Sequence, residues 1–341
     1  MATLEGLGQR LVDVGPHNGA HRVAFRAAVS VLVPLLVLDA TDHLSWSLYA
    51  AFGAFTSLYG RERVHAQRLR LQAAAGAWQV GAVTIGALVA ASAHRSWLAV
   101  PVAAVVAVLA AYASAVQGWH PPGSLFQVFG VAAVATVPAT LSDVVPAVLV
   151  SAAAAVFAIG VGSAGALLRR VRRGGSLEVA TPLGGAVEGA WRYALQAGVG
   201  VLVAGAVANA FGIGRPYWAM VGAVVPLAAR ALTMQVVRGI HRLVGTGLGL
   251  LVAWALLALG PHGLVVIVLV TLLQALAELI VGRNYALALV AITPLALLMG
   301  DLVRPMPVGE LIGDRALETL IGVVIGMVVG YLSRPRGGAH A

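Results

Sequence analysis

Long apolar segments separated by short polar breaks dominate this sequence of 341 residues. Hydrophobic residues make up 60% of the chain and charged residues only 10%, whereas about a quarter of the residues in a soluble domain are charged. An apolar stretch of roughly 17–25 residues is long enough to cross a bilayer as an α-helix. The composition therefore predicts an all-α, polytopic integral membrane protein surrounded by a lipid bilayer.

Charges and Pro/Gly clusters divide the apolar segments into twelve predicted transmembrane helices. They cover 22–40, 44–60, 74–92, 97–117, 123–141, 144–168, 191–211, 216–232, 244–260, 262–281, 284–300 and 315–332. This order predicts a first six-helix half at 21–170 and a second at 191–334, joined by a cytoplasmic linker at 171–190. Residues 1–20 and 335–341 are then a cytoplasmic N-terminal segment and a cytoplasmic tail.

The arginines predict the orientation in the membrane. All 22 basic residues are arginines, and a cytoplasmic N-terminus leaves only four of them outside, namely Arg95, Arg215, Arg304 and Arg315. Segments on the cytoplasmic side of membrane proteins are enriched in basic residues. We therefore expect a multi-pass protein of the cell (plasma or inner) membrane with both termini in the cytoplasm. The net charge of +9 is explained by this orientation, so no nucleic-acid partner is expected.

Two stretches of the chain resemble each other at a spacing of 172 residues. Trp46 aligns with Trp218, and Arg70 aligns with Arg242. Fused structural repeats are common in secondary transporters, and an even number of helices per repeat makes the two repeats parallel. Only the second copy has a second arginine, because Ala66 stands at the position of Arg238. The repeat predicts two parallel halves with a shared path, and the second copy is where an anion is expected.

Arginines cluster at the predicted cytoplasmic end of the eighth transmembrane helix. Arg230, Arg238 and Arg242 lie within twelve residues, and Arg238 and Arg242 share one helix face. A guanidinium group stays charged and can donate two hydrogen bonds to one carboxylate. With Thr246, these arginines form a candidate vestibule for anions. Each arginine alone is more often a membrane anchor that contacts lipid headgroups, so that interpretation stays open.

Two acidic positions lie within predicted transmembrane helices. Glu278 is a candidate for proton coupling, because a carboxylate inside a membrane is by default a functional hypothesis. The alternative is a structural ion pair with Arg283 or with another arginine at the cytoplasmic end. Arg315 and Glu318 open the last helix from the outside. They are either an outer gate or an i,i+3 pair on the surface.

Other chemistry has little support in the sequence. The chain has no cysteine, no HExxH, no P-loop and no GxSxG motif, so we expect no metal site, no cofactor and no enzyme activity. Five tryptophans lie near predicted helix ends, which is typical of an interfacial aromatic belt. They are Trp46, Trp97, Trp119, Trp191 and Trp218.

Three short motifs in the second half carry a family resemblance. They read Arg238-x-x-x-Arg242-Leu-Val-Gly-Thr246, Arg283-Asn284-Tyr285-Ala286 and Arg315-x-x-x-Thr319-Leu-Ile-Gly322. In these motifs the chain resembles the fusaric acid resistance protein-like domain of the aromatic acid exporter family, which is distantly similar to plant aluminium-activated malate transporters. Glu318 stands where the third motif of the family usually has an aspartate.

The resemblance implies the export of organic anions, in particular aromatic carboxylic acids, by a proton-driven exporter or through a passive anion channel. It also implies that Arg238, Arg242 and Thr246 shape the inner path, and that Arg283, Asn284 and Tyr285 form the second motif of the same domain. A small organic anion is the expected partner, and a homo-oligomer is compatible with this interpretation. An accessory or structural envelope protein that transports nothing is the alternative from another class.

Overall fold

A computed structural model describes residues 4–61, 65–173, 188–229 and 231–334. This part of the chain forms thirteen α-helices and contains no strand, so the predicted all-α class is confirmed. The helices are α1 Leu4–Val12, α2 Ala20–Ala40, α3 Ser47–Ala54, α4 His65–Ala90, α5 Arg95–Gln117, α6 Leu125–Ala135, α7 Val144–Arg173, α8 Ala190–Ala210, α9 Tyr217–Leu227, α10 Leu232–Ala258, α11 Leu264–Ile280, α12 Tyr285–Val303 and α13 Val308–Leu332.

Length and composition identify a polytopic membrane protein. Eight helices within the described ranges are long and apolar enough to cross a membrane, and α6, α9 and α11 are apolar but shorter. Large apolar side chains in the middle of long helices point outward, for example Val156 at 70% and Leu251 at 68% exposure. Such surfaces are stable against lipid and unfavourable in water. The number of twelve crossings stays a prediction.

Two helices begin well before the predicted transmembrane segments. α4 starts at His65 and α10 at Leu232, whereas the charges in these stretches suggested starts at 74 and 244. Arginine and glutamine are good helix formers, so charge alone does not end a helix. As a result Arg238 and Arg242 lie on the first three turns of α10 and not in a loop.

The helices pack in the same way in both predicted halves. In the first half α4 contacts α6 and α7, and α3 contacts α7; in the second half α10 contacts α12 and α13, and α9 contacts α13. Between the halves, α5 packs on α8 and α11 packs on α2. Each of these contacts has a counterpart six helices further along the chain. This reciprocity supports the predicted organisation in two fused halves.

A spacing of 170 residues relates the two halves better than the spacing of the tryptophan alignment. α2 and α8 both have 21 residues, and each follows a left-handed glycine, Gly19 or Gly189. The same spacing places Gln72 of α4 at the position of Arg242 of α10, and both side chains are buried. Arg70, the predicted counterpart of Arg242, is instead exposed on α4.

Candidate functional site

Glycines allow α10 to approach α12 closely. A Cβ atom at Gly249 would lie 2.7 Å from the carbonyl oxygen of Leu289 and 2.7 Å from the Cβ of Thr293. A Cβ atom at Gly245 would overlap the carbonyl oxygen of Ala286. Small residues are common where helices meet in membranes because they permit such backbone contact. The approach encloses the polar side chains that α10 and α12 place at their interface.

Arg242 lies at this interface and is only 3% exposed. Its Nη1 donates a hydrogen bond to the hydroxyl of Tyr285 over 3.2 Å. Its Nε and Nη2, and the Oγ1 of Thr246 one turn along, have no hydrogen-bond partner among the described residues. Burial of a charged group costs several kcal/mol unless other groups supply the missing hydrogen bonds. Arg242 therefore has two donors available for a bound anion.

Arg315 on α13 is buried in the same region. It is 1% exposed, and its guanidinium carbon lies 3.5 Å from the centroid of the Trp218 ring. None of its three guanidinium nitrogens has a hydrogen-bond partner in the part of the chain described. Arg242 and Tyr285 both lie within electrostatic range of Arg315. We refer to Arg242 and Arg315 as the buried arginine pair.

Acidic groups compensate the buried arginine pair only in part. Glu318 is fully buried, and its Oε1 accepts a hydrogen bond from the backbone N–H of Arg215 over 3.2 Å. No ion pair within 4.0 Å joins Glu318 to Arg315 in the described ranges. Arg215 is also buried and donates to the carbonyl oxygen of Arg304 over 2.8 Å, while Asp314 lies near Glu318 at the edge of the core. Positive charge is therefore in excess.

Burial corrects two predictions made for this region. The surface-pair interpretation of Arg315 and Glu318 is wrong, because both side chains are inside the core. The belt interpretation is wrong for Trp218 and Trp119, which are 2% and 3% exposed, whereas Trp97 is 58% exposed as a belt residue would be. The missed signal is α9 itself: it is apolar all round, which is typical of a core helix, and each of its eleven residues is buried.

The second motif contacts the N-terminal segment, residues 4–16. The Nε of Arg283 donates to the carbonyl oxygen of Gly15 over 3.0 Å, and the backbone N–H of Gly15 donates to the carbonyl oxygen of Arg283 over 3.0 Å. The side-chain amide of Asn284 donates to the carbonyl oxygens of Leu11 and Asp13 over 3.3 and 3.0 Å. The N-terminal segment thus covers the start of α12, and the two side chains do not join the buried arginine pair.

Glu278 forms an ion pair with Arg61. The carboxylate is 6% exposed, and its Oε1 also accepts a hydrogen bond of 3.4 Å from the side chain of Gln274. An ion pair with an arginine near the helix end was one of the two predicted roles of Glu278. The partner is Arg61, which lies 217 residues away in sequence, and not Arg283.

The remaining predicted site residues lie apart from the buried arginine pair. Arg238 is partly buried one turn before Arg242 on α10, and Arg70 is exposed on α4 in the other half. Arg230 lies outside the described residues. We call the end of the helix bundle that carries the N-terminal segment, Arg61 and Arg283 the arginine-rich end.

A cavity of about 220 Å³ lies at the opposite ends of α11 and α12. Its walls are formed by Pro261, His262, Gly263, Val266, Leu298, Asp301, Leu302 and Pro305. None of the predicted site residues contributes to these walls, so the cavity is separate from the buried arginine pair.

Comparison with known proteins agrees with the motifs. The family model described as fusaric acid resistance protein-like matches residues 203–329. The uncharacterized membrane protein YvaC of Bacillus subtilis (strain 168) is 32% identical over 139 residues, which cover 41% of this chain and 22% of that protein. The chain thus spans 22% of the length of this relative. No solved structure matches. The predicted resemblance is confirmed: over residues 203–329, which include both buried arginines, this membrane protein is similar to the fusaric acid resistance protein-like family.

Proposed function

We propose that the protein is a transporter that exports organic anions, in particular aromatic carboxylic acids, across the cell membrane. The observation that carries the proposal is the buried arginine pair, in which five guanidinium nitrogens have no hydrogen-bond partner among the described residues. A carboxylate can accept two hydrogen bonds from one guanidinium group. An anion between Arg242 and Arg315 would supply the missing acceptors and reduce the repulsion between the two charges.

Aromatic rings beside the buried arginine pair favour an aromatic solute. The ring centroid of Trp218 is 4.8 Å from that of Tyr217 and 4.7 Å from that of Phe129 on α6. Phe129 in turn lies 5.0 Å from Phe52 on α3. Ring contacts continue from there towards the arginine-rich end through Phe55, Phe126, Tyr59 and Trp119. Planar solutes stack well on such rings, and both predicted halves contribute to the row.

The direction and the energy source of transport are part of the same proposal. Export requires the arginine-rich end to face the cytoplasm, as the distribution of arginines predicts. Coupling to the proton gradient requires a carboxylate that can change its protonation state. Glu278 was the predicted group, but it pairs with Arg61, so Glu318 beside the buried arginine pair becomes the better candidate. The same ion pair also favours a second function, that of a passive anion channel, in which no carboxylate needs to exchange protons.

Transport of a hydroxybenzoate by purified protein in liposomes tests the proposal. We expect that Arg242→Gln lowers the rate of transport at least tenfold, whereas Arg192→Gln, which removes an exposed arginine of α8, leaves the rate unchanged. If collapse of the proton gradient stops accumulation, the protein is a coupled exporter; if flux then continues down the solute gradient, it is a channel. If the wild-type protein transports no organic acid, the accessory-protein alternative is favoured.

A further inference from the structure

A second group of arginines lies at the arginine-rich end. Arg26 of α2 lies within electrostatic range of both Arg61 and Arg68. Arg61 forms the ion pair with Glu278, and the Nη2 of Arg68 donates to the carbonyl oxygen of Gly162 over 3.1 Å. We refer to Arg26, Arg61 and Arg68 as the arginine triad.

The arginine triad lies where the two predicted halves meet. Its members come from α2, from the segment that follows α3, and from α4, whereas Glu278 comes from α11, which packs on α2. The side chains of Arg61 and Glu278 are 13% and 7% exposed, and Arg26 and Arg68 are partly buried. The Nε atoms of Arg26 and Arg61 have no hydrogen-bond partner within the described ranges.

Charge in this cluster is not balanced. One carboxylate, that of Glu278, faces three guanidinium groups, and like charges at short range repel strongly where water is largely excluded. An ion pair with a purely structural role needs only one arginine, so it does not account for Arg26 and Arg68. A bound anion accounts for them, because a guanidinium group with open donors binds oxyanions well.

We propose that the arginine triad is a second anion-binding site, and that Glu278 is its built-in occupant. The carboxylate of Glu278 neutralises Arg61 until the carboxylate of a soluble organic acid replaces it. The proposal rests on the proposed transport of organic anions, for which the triad would be the first site reached from the arginine-rich end. It gives Glu278 the role of a tethered competitor and not that of a proton carrier.

Binding of benzoate to the full-length purified protein, measured by titration calorimetry in detergent without phospholipid, tests this site. Glu278→Gln removes the competing charge, so we expect benzoate to bind about tenfold more tightly. Arg26→Gln leaves the ion pair in place and should weaken binding about tenfold. The same variant should raise the melting temperature, because it removes a repulsive charge. Arg192→Gln is the matched control and should change neither quantity.

Specific outcomes would overturn the proposal. If Glu278→Gln binds benzoate no more tightly than the wild-type protein while its melting temperature is unchanged, Glu278 is not a competitor. If Arg26→Gln raises the melting temperature without weakening binding, the triad is structural. If phosphatidylglycerol binds and benzoate does not, the triad is a site for lipid headgroups. Loss of transport in Arg242→Gln with unchanged triad variants would refute the triad alone, whereas triad binding without any transport would refute the proposed function.

Discussion

The guanidinium group of Arg315 lies 3.5 Å from the centroid of the indole ring of Trp218, and both side chains are almost completely buried. A desolvated cation–π contact contributes about 2 kcal/mol. Burial of a charged group costs several kcal/mol, so the ring alone does not compensate Arg315. The contact fixes the position of the guanidinium group and leaves its N–H donors open, as an anion site requires.

Replacement of Trp218 should weaken the binding of aromatic acids. Trp218→Leu removes the cation–π contact and the stacking surface, and we expect the KM for transport to rise about fivefold to thirtyfold, equivalent to about 1–2 kcal/mol. Trp218→Phe keeps an aromatic face and should have a smaller effect. Trp97→Leu, at an exposed tryptophan, is the control. Unchanged KM in Trp218→Leu would contradict a role of the ring in binding.

The contact between α10 and α12 should tolerate no side chain at Gly249. A Cβ atom there meets backbone and side-chain atoms of α12 at 2.7 Å, so Gly249→Ala should lower the stability by about 1–3 kcal/mol. Gly247, on the same helix, has no atom within 4 Å of a Cβ position. Gly247→Ala should therefore be neutral or stabilising by up to about 1 kcal/mol. Thermal unfolding of both variants in detergent gives the comparison, and equal melting temperatures would contradict the close approach.

Sequence patterns predicted the helices well, because apolar stretches of membrane length are a strong signal. They did not predict that Arg242 and Arg315 meet, because the two residues lie on helices separated by two others along the chain. Their approach depends on contacts of α10 and α13 that no local pattern encodes. The same holds for Arg61 and Glu278, which are 217 residues apart. Helix starts were wrong at α4 and α10, where charged residues were taken as the end of the helical stretch.

A disulfide should lock the N-terminal segment onto α12. A Cβ atom at Gly15 would lie 3.6 Å from the Cα of Arg283, which fits the geometry of a disulfide. Because the natural chain has no cysteine, the double variant Gly15→Cys/Arg283→Cys can form only the intended intramolecular bond. Oxidation should slow transport at least fivefold if the segment must move away from the ends of α10 and α12.

Reduction of this disulfide should restore transport, and the single variant Arg283→Cys controls for the lost guanidinium group. The ring nitrogen Nε2 of His241 lies 3.0 Å from the carbonyl oxygen of Leu11, so the locked segment also stays on α10. Full transport by the oxidised double variant would show that the segment stays in place during the transport cycle.

Replacement of Glu318 should separate proton coupling from anion transport. Glu318→Gln keeps the size of the side chain and an oxygen that can accept the hydrogen bond from the backbone N–H of Arg215, but it cannot exchange a proton. We expect accumulation driven by a pH gradient to fall at least tenfold, while flux down a gradient of the organic acid continues. Glu310→Gln, at an exposed carboxylate near the start of α13, is the control. Equal accumulation by Glu318→Gln and the wild-type protein would exclude Glu318 as the coupling group.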